Sequence, residues 1–145
     1  MCMMVYIGSE NELPLIEFED EKSVFYVRKL NCTYSDDKFA KENLKKEYKY
    51  YVGSWQGCGC GFQFDFSSES YFTEEDNALG KQSVEALFEY LRNNIVGDNC
   101  EILSFWAGEY ISEPDDVISL KDFTLGNSFS FLEGQRVTVH TNNGV

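Results

Sequence analysis

The stretch TEEDNALGKQSVEALFEYLRNNI, residues 73–95, decides the fold. Thr73 offers a hydroxyl cap, and the acids that follow it suit the positive end of a helix dipole. Apolar side chains then recur on one helical face, at Leu79, Val84, Leu87, Phe88, Leu91 and Ile95. The pattern predicts one principal helix over about 73–95. Gly80 lies inside this pattern and offers an alternative prediction, a break at Gly80 with the regular helix starting after it.

Most of the remaining chain is predicted to form strands, because its apolar runs are short and rich in β-branched or aromatic residues. These runs are residues 5–7, 24–28, 48–52, 62–66 and 102–107. A weaker helical pattern at 36–47 has few apolar positions and predicts a surface helix or a structured loop.

The end of the chain carries turn signals typical of a meander. A strand would end near Leu125, Gly126-Asn127 would turn into a strand at 128–132, and Gly134-Gln135 would turn into a strand at 136–140. Val137 and Val139 would lie on one face of the last strand. Linkers and low-complexity tracts are absent from the sequence. We therefore expect one domain over 1–145 of the α+β class, with a mainly antiparallel sheet and the 73–95 helix packed on one face.

The charge of the chain is strongly acidic and unevenly distributed. Twelve Lys and Arg stand against 25 Asp and Glu, which gives a net charge of −13. Residues 51–145 hold fifteen of the acids and four of the basic residues, so they are net −11. Binding to nucleic acid or to anionic lipid needs clustered Lys and Arg, so neither is expected. The charge favours a basic protein partner. A homodimer is an equally simple alternative, because strand edges and aromatic surface can self-associate.

The N-terminal stretch MCMMVYIGSE is apolar but lacks a basic segment, and no run approaches the ~20 apolar residues of a membrane helix. Five cysteines, an odd number, do not resemble a secreted disulfide framework. We expect a cytoplasmic protein with reduced thiols.

The run GCGCGF, residues 57–62, is the least random part of the sequence. If it is extended, Cys58 and Cys60 point to one face, where they suit a shared soft metal such as zinc or iron, or a redox pair. The alternative is that small side chains pack in a tight crossing. Further ligands have no spacing pattern that selects among them: Cys2, Cys32, Cys100 and His140.

The same run offers a surface for close approach. Gly57, Gly59 and Gly61 would leave a bare face for a ligand, a helix or another backbone. Trp55 precedes them and would serve as a binding anchor if it protrudes. We take these four residues as candidate contacts to a ligand or partner.

Cys2 raises a further hypothesis, because a cysteine after the initiator Met can become an N-terminal nucleophile with its own α-amine as base. The opening MCMMVYIGS, residues 1–9, resembles the start of class II glutamine amidotransferases, which begin Met-Cys and run into an apolar strand ending in Gly. The resemblance implies a catalytic Cys2.

Three functions follow from the sequence. The leading hypothesis is a non-enzymatic binding protein without a cofactor, because no catalytic motif is evident. The alternative is a metal- or thiol-dependent function at Cys58 and Cys60, with Cys2 and His140 as extra candidates. An N-terminal-cysteine amidohydrolase-like enzyme is the third. His140, the single histidine, is otherwise expected to be a solvated side chain on a terminal strand.

Overall fold

The computed structural model describes residues 2–67, 71–110, 113–119, 125–131 and 134–140. In chain order the elements are β1 (Met3–Ser9), β2 (Phe25–Lys29), α1 (Ser35–Asn43), β3 (Tyr48–Ser54), a 3-10 turn (Gly59–Gly61), β4 (Phe64–Asp65), α2 (Glu74–Asn94), β5 (Asn99–Trp106), β6 (Glu113–Ser119), β7 (Ser128–Phe129) and β8 (Gln135–His140).

The main sheet has the strand order β2-β3-β1-β5-β8-β6. Its first five strands pair antiparallel, and β6 joins β8 in parallel at one edge. β4 and β7 form a separate two-stranded sheet. The long helix α2 packs on the main sheet, so the predicted α+β class and its mainly antiparallel sheet are confirmed.

One face of the sheet and α2 share the larger hydrophobic core. Alternate residues of the central strands point to this face, and the helix adds the apolar stripe that its sequence predicted. The sheet contributes Val5, Ile7, Val27, Val52, Ile102, Val137 and Val139, and α2 contributes Val84, Leu87, Phe88 and Leu91. Each fully buried side chain of this kind stabilises the fold by about 1.5–3 kcal/mol.

α1 covers the opposite face of the sheet. Ala40 and Leu44 pack there on strand residues of the other parity, among them Tyr6, Leu103 and Phe105. The helical pattern at 36–47 predicted a surface helix or a structured loop, and α1 in fact closes a second core. Its few apolar positions suffice because the sheet contributes large aromatic side chains to this core, among them Tyr6, Tyr51 and Phe105.

The predicted C-terminal meander is wrong. β7 pairs with β4 rather than with β8, and β8 lies between β5 and β6 in the main sheet. Turn residues such as Gly134-Gln135 indicate only where the chain reverses. Which strands pair is set by how their side chains are buried against distant parts of the sheet. The predicted alternation in β8 is confirmed, since Val137 and Val139 are buried in the α2 core.

The predicted break at Gly80 is also wrong, because α2 continues through it. Thr73 caps the helix by accepting a hydrogen bond from the Asp76 N–H at 3.0 Å. Gly80 is buried, and a methyl group there would overlap the carbonyl oxygen of Gln63. Glycine at this position therefore permits close approach of the helix to the chain before β4.

Among the described residues, no helix combines the length and the apolar composition required of a membrane span.

A buried carboxylate joins α1 to the sheet. Asp37, in the first turn of α1, accepts hydrogen bonds from Tyr6 Oη at 2.6 Å, Arg28 Nη1 at 2.8 Å and the Asn31 N–H at 2.7 Å. Burial alone would raise the pKa of Asp37, but the hydrogen bonds outweigh it and hold the pKa below its usual 3.8. The Arg28 guanidinium also stacks on the Tyr51 ring, 4.0 Å from its centroid.

We predict that Asp37→Asn lowers the free energy of unfolding by about 1.5–3 kcal/mol, the usual value of hydrogen bonds to a charged group. Because the folded pKa is depressed, this contribution is complete above the ordinary pKa of 3.8 and is lost as pH falls through the folded value. Urea denaturation at neutral and acid pH tests this. The difference between the two proteins should shrink in acid, and exposed Glu42→Gln on the same helix should have little effect at either pH. Equal stability of Asp37→Asn and wild type at neutral pH would contradict the assignment.

We predict that Gly80→Ala destabilises the protein by about 1–3 kcal/mol, as overpacking does. Helix propensity alone would favour alanine by up to about 1 kcal/mol. Exposed Gln82→Ala in the same helix provides the control, and thermal unfolding of the two variants gives the comparison. A stabilised Gly80→Ala would mean that α2 does not pack closely on Gln63.

Candidate functional site

Three of the five cysteines converge at one end of the sheet. The sulfur atoms of Cys2, Cys58 and Cys60 all lie within 4.8 Å of one another. Cys2 is exposed, and the other two are half-buried. We refer to these three residues as the thiol cluster. All five cysteines are free thiols.

The register of β1 places Cys2 in the cluster. β1 runs antiparallel to β3 with Val5 opposite Val52, so the start of β1 lies beside the end of β3. On its other side Met3 is opposite Trp106, and the Cys2 carbonyl accepts a hydrogen bond from the Ala107 N–H at 2.8 Å. Cys2 is thus fixed in the sheet next to the turn that follows β3.

The turn after β3 brings Cys58 back toward that strand end. The Ser54 N–H donates to the Cys58 carbonyl at 2.9 Å, and the Ser54 hydroxyl donates to the same oxygen. Within this turn the Gly57 N–H donates to the Ser54 carbonyl at 2.9 Å, and Gly57 has a φ of +85°. This conformation favours glycine.

The segment after Cys58 is coiled rather than extended. Gly59–Gly61 form a 3-10 turn, closed by the Phe62 N–H donating to the Gly59 carbonyl at 3.1 Å. The expected alternation of thiols and glycines on two faces of a strand is therefore not the arrangement found. The turn still leaves the sulfurs of Cys58 and Cys60 close together, and both lie within 4.8 Å of the Cys2 sulfur.

Two of the glycines lie in crowded positions. A methyl group at Gly59 would stand 2.6 Å from the Met3 carbonyl oxygen, and one at Gly61 would stand 2.8 Å from the Trp55 indole. Trp55 is half-buried and does not protrude, and its backbone N–H donates to Ser83 Oγ of α2 at 3.2 Å. The bare glycine surface is thus occupied by the protein's own β1 and Trp55.

Tyrosine hydroxyls hold the remaining glycine of the run. Tyr26 Oη donates to the Gly57 carbonyl, and Tyr51 Oη donates to the same oxygen at 3.4 Å. Because Arg28 stacks on Tyr51 and binds Asp37, the turn is connected to the polar network beneath α1. The turn that carries Cys58 is therefore joined to the face of the sheet that α1 covers.

The electrostatics of the cluster keep Cys58 protonated at neutral pH. Burial raises the pKa of the Cys58 thiol to about 12; the Cys60 backbone N–H lowers this pKa, whereas the thiols of Cys60 and Cys2 raise it further. The Cys60 sulfur accepts a hydrogen bond from the Met3 N–H at 3.1 Å. No Lys or Arg occurs in the sequence between Lys49 and Lys81 to favour a thiolate.

The sulfur positions suit one metal ion. Sulfurs bound tetrahedrally at about 2.3 Å stand about 3.8 Å apart. Separations of up to 4.8 Å in the cluster therefore need only a modest contraction to close on an ion. Soft thiolates select zinc, copper(I) or iron–sulfur groups over hard cations.

The other candidate ligands lie elsewhere. His140 is opposite Asn99 at the start of β5. Met3, next to Cys2, is opposite Trp106, which lies seven residues further along β5. At ~3.3 Å per residue His140 stands about 23 Å from the cluster. Cys100 is buried near that same end of β5, and Cys32 is exposed beside Lys38, Lys41 and Lys49.

The sequence placed Cys2 only among scattered extra candidates, and the amidotransferase-like role of Cys2 stays a prediction. The signal for its proximity was present in two similar strand ends, YIGS at 6–9 and YVGS at 51–54. Antiparallel pairing of these two strands puts the start of the first beside the end of the second.

Comparison with known proteins found no matching family model, no similar curated protein and no similar solved structure.

Proposed function

We propose that this chain is a metal-binding protein in which the thiolates of Cys2, Cys58 and Cys60 bind one zinc ion. The observation that carries the proposal is the convergence of three sulfurs within 4.8 Å from segments 56 residues apart in sequence. A packing role alone does not require three cysteines at one point. Zinc is favoured because it binds mixed or pure thiolate sets without redox chemistry.

A site with three protein ligands leaves one coordination position open. Closed structural zinc sites use four protein ligands, and catalytic sites use three and keep a position for water or substrate. Among the described residues the cluster holds three ligands, with Cys2 facing solvent. The geometry therefore favours a zinc ion that exchanges an outer ligand, in a cytoplasmic setting that keeps the thiols reduced.

We expect purified, reduced protein to bind one zinc ion per chain and Cys2→Ser to weaken binding by about a hundredfold. The apparent 10–16 kcal/mol of a four-ligand zinc site corresponds to about 3 kcal/mol per ligand. Competition with a chromophoric chelator measures the affinity, and Co²⁺ substitution reports thiolate coordination by its charge-transfer absorption. Cys32→Ser is the matched control, because Cys32 is an exposed cysteine outside the cluster.

The pH dependence of the same titration gives a second measurement. Since burial raises the pKa of Cys58 to about 12, zinc must displace at least its proton, and affinity should rise at least about tenfold per pH unit near neutrality. Binding that is absent, independent of pH, or equally weakened by Cys2→Ser and Cys32→Ser would rule out the site.

A second candidate function is binding of a basic protein partner. It is favoured by a surface at the start of α2, where exposed aromatic side chains precede three acids. Tyr71 is fully exposed and Phe72 is 39% exposed, directly before Thr73 and the run Glu74–Asp76 in the sequence. Aromatic residues beside complementary charge are typical of interaction surfaces.

This candidate predicts that Tyr71→Ser lowers the recovery of a basic partner in a low-salt pull-down, because an aromatic anchor is lost. Tyr34→Ser is the control, since Tyr34 is 58% exposed beside α1. Recovery should fall as salt rises. A monomer by light scattering that recovers no partner at low salt would exclude both a basic partner and a homodimer.

A further inference from the structure

A cavity opens beside Cys60, on the side of the main sheet that carries α2. Its volume is about 410 Å³, within the range of small-molecule sites of about 300–1,000 Å³. The residues that line it come from β1, the 3-10 turn, β5 and the segment after β7: Met3, Gly59, Cys60, Phe62, Gln63, Trp106, Ser130 and Phe131. We infer that this cavity binds a small, uncharged aromatic molecule.

The walls of the cavity are mainly aromatic. Phe62 and Phe131 meet edge to face, with ring centroids 6.1 Å apart and planes at 88°, so they form a corner. Trp106 supplies a third ring. Aromatic rings prefer offset-stacked or edge-to-face contacts, and a flat guest ring can make such contacts with these walls.

The described lining of the cavity offers no charged side chain to pair with a charged ligand, and therefore favours a neutral one. The described lining residues include no Asp, Glu, Lys, Arg or His, and the side chains able to form hydrogen bonds include those of Gln63 and Ser130. Burying an unpaired charge is far more costly than burying a neutral group. The net charge of −13 further disfavours anions. A neutral ring with one hydrogen-bonding group fits this lining.

The floor of the cavity is held in place by close packing. Gly59 lies against the Met3 carbonyl, and Gln63 lies against Gly80 of α2. Phe62 is 1% exposed. These contacts fix the backbone that frames the cavity, so little ordering is required when a ligand binds. The cavity shares only Cys60 with the thiol cluster, so the inference does not depend on zinc.

Indole is the test probe, added to reduced, metal-free protein and followed by ¹H–¹⁵N NMR. We expect saturable shifts with a dissociation constant between micromolar and millimolar, at the Trp106 side-chain N–H and the amides of Gly59 and Cys60. Indoleacetate carries the same ring with a carboxylate and should bind at least about tenfold more weakly.

Three variants separate this inference from the zinc site. Ser130 is exposed at the cavity, so Ser130→Phe should fill it and abolish the indole shifts while leaving zinc affinity unchanged. Ser128→Phe, exposed but outside the lining, should bind indole as wild type does. Cys2→Ser should lose zinc affinity and keep the indole shifts. No saturable shifts, shifts at other residues, or undiminished binding to Ser130→Phe would overturn the inference, whatever the zinc result.

Discussion

The pairing of β1 between β3 and β5 is the constraint on which the rest of the structure depends. Both backbone edges of β1 are hydrogen-bonded, and both of its side-chain faces are covered. Val5 and Ile7 face the α2 core, whereas Tyr6 faces α1. A slip of one residue would exchange these faces and place a tyrosine hydroxyl in the aliphatic core. Burial on two sides therefore specifies one register, and that register also determines which residue lies beside the end of β3.

The thiol cluster is a consequence of this register combined with two close approaches. Gly59 allows the turn to contact β1, and Gly80 allows α2 to contact the chain after the turn. Asn77 of α2 then binds both backbone groups of Asp65, at 2.9 Å and 2.8 Å. The segment that carries Cys58 and Cys60 is thus held from β1 and from α2 by backbone contacts. This arrangement fixes the two thiols without any disulfide or charge pair among them.

The sequence predictions were accurate for features that one continuous segment encodes, and inaccurate for features that depend on distant segments. The bounds of α2 were predictable because its cap and apolar face lie within one segment. The faces of β8 were predictable because alternation is also local. The partners of β7 and β8 were not, because strand pairing depends on burial contributed by distant segments. The same reason explains Gly80, where the helix propensity of glycine is overridden by the contact with Gln63.

The candidate site shows the same limit. The GCGCGF run identified Cys58 and Cys60, but only the β1–β3 register distinguishes Cys2 from Cys32, Cys100 and His140. The pairing of β5 with β8 then excludes Cys100 and His140, since it places both at the far end of the sheet.

The electrostatics of the cluster support the proposed zinc site over a redox pair. A redox or nucleophilic cysteine works as the thiolate, which cationic neighbours or a helix N-terminus normally stabilise. Here burial and two neighbouring thiols raise the pKa of Cys58 instead, and the chain from 50 to 80 has no basic residue. A divalent ion supplies the missing positive charge itself, because coordination deprotonates a thiol outright. The Cys58 thiol is therefore poorly suited to nucleophilic attack, whereas three converging sulfurs suit metal coordination, which is why we favour a zinc ligand set over a redox pair.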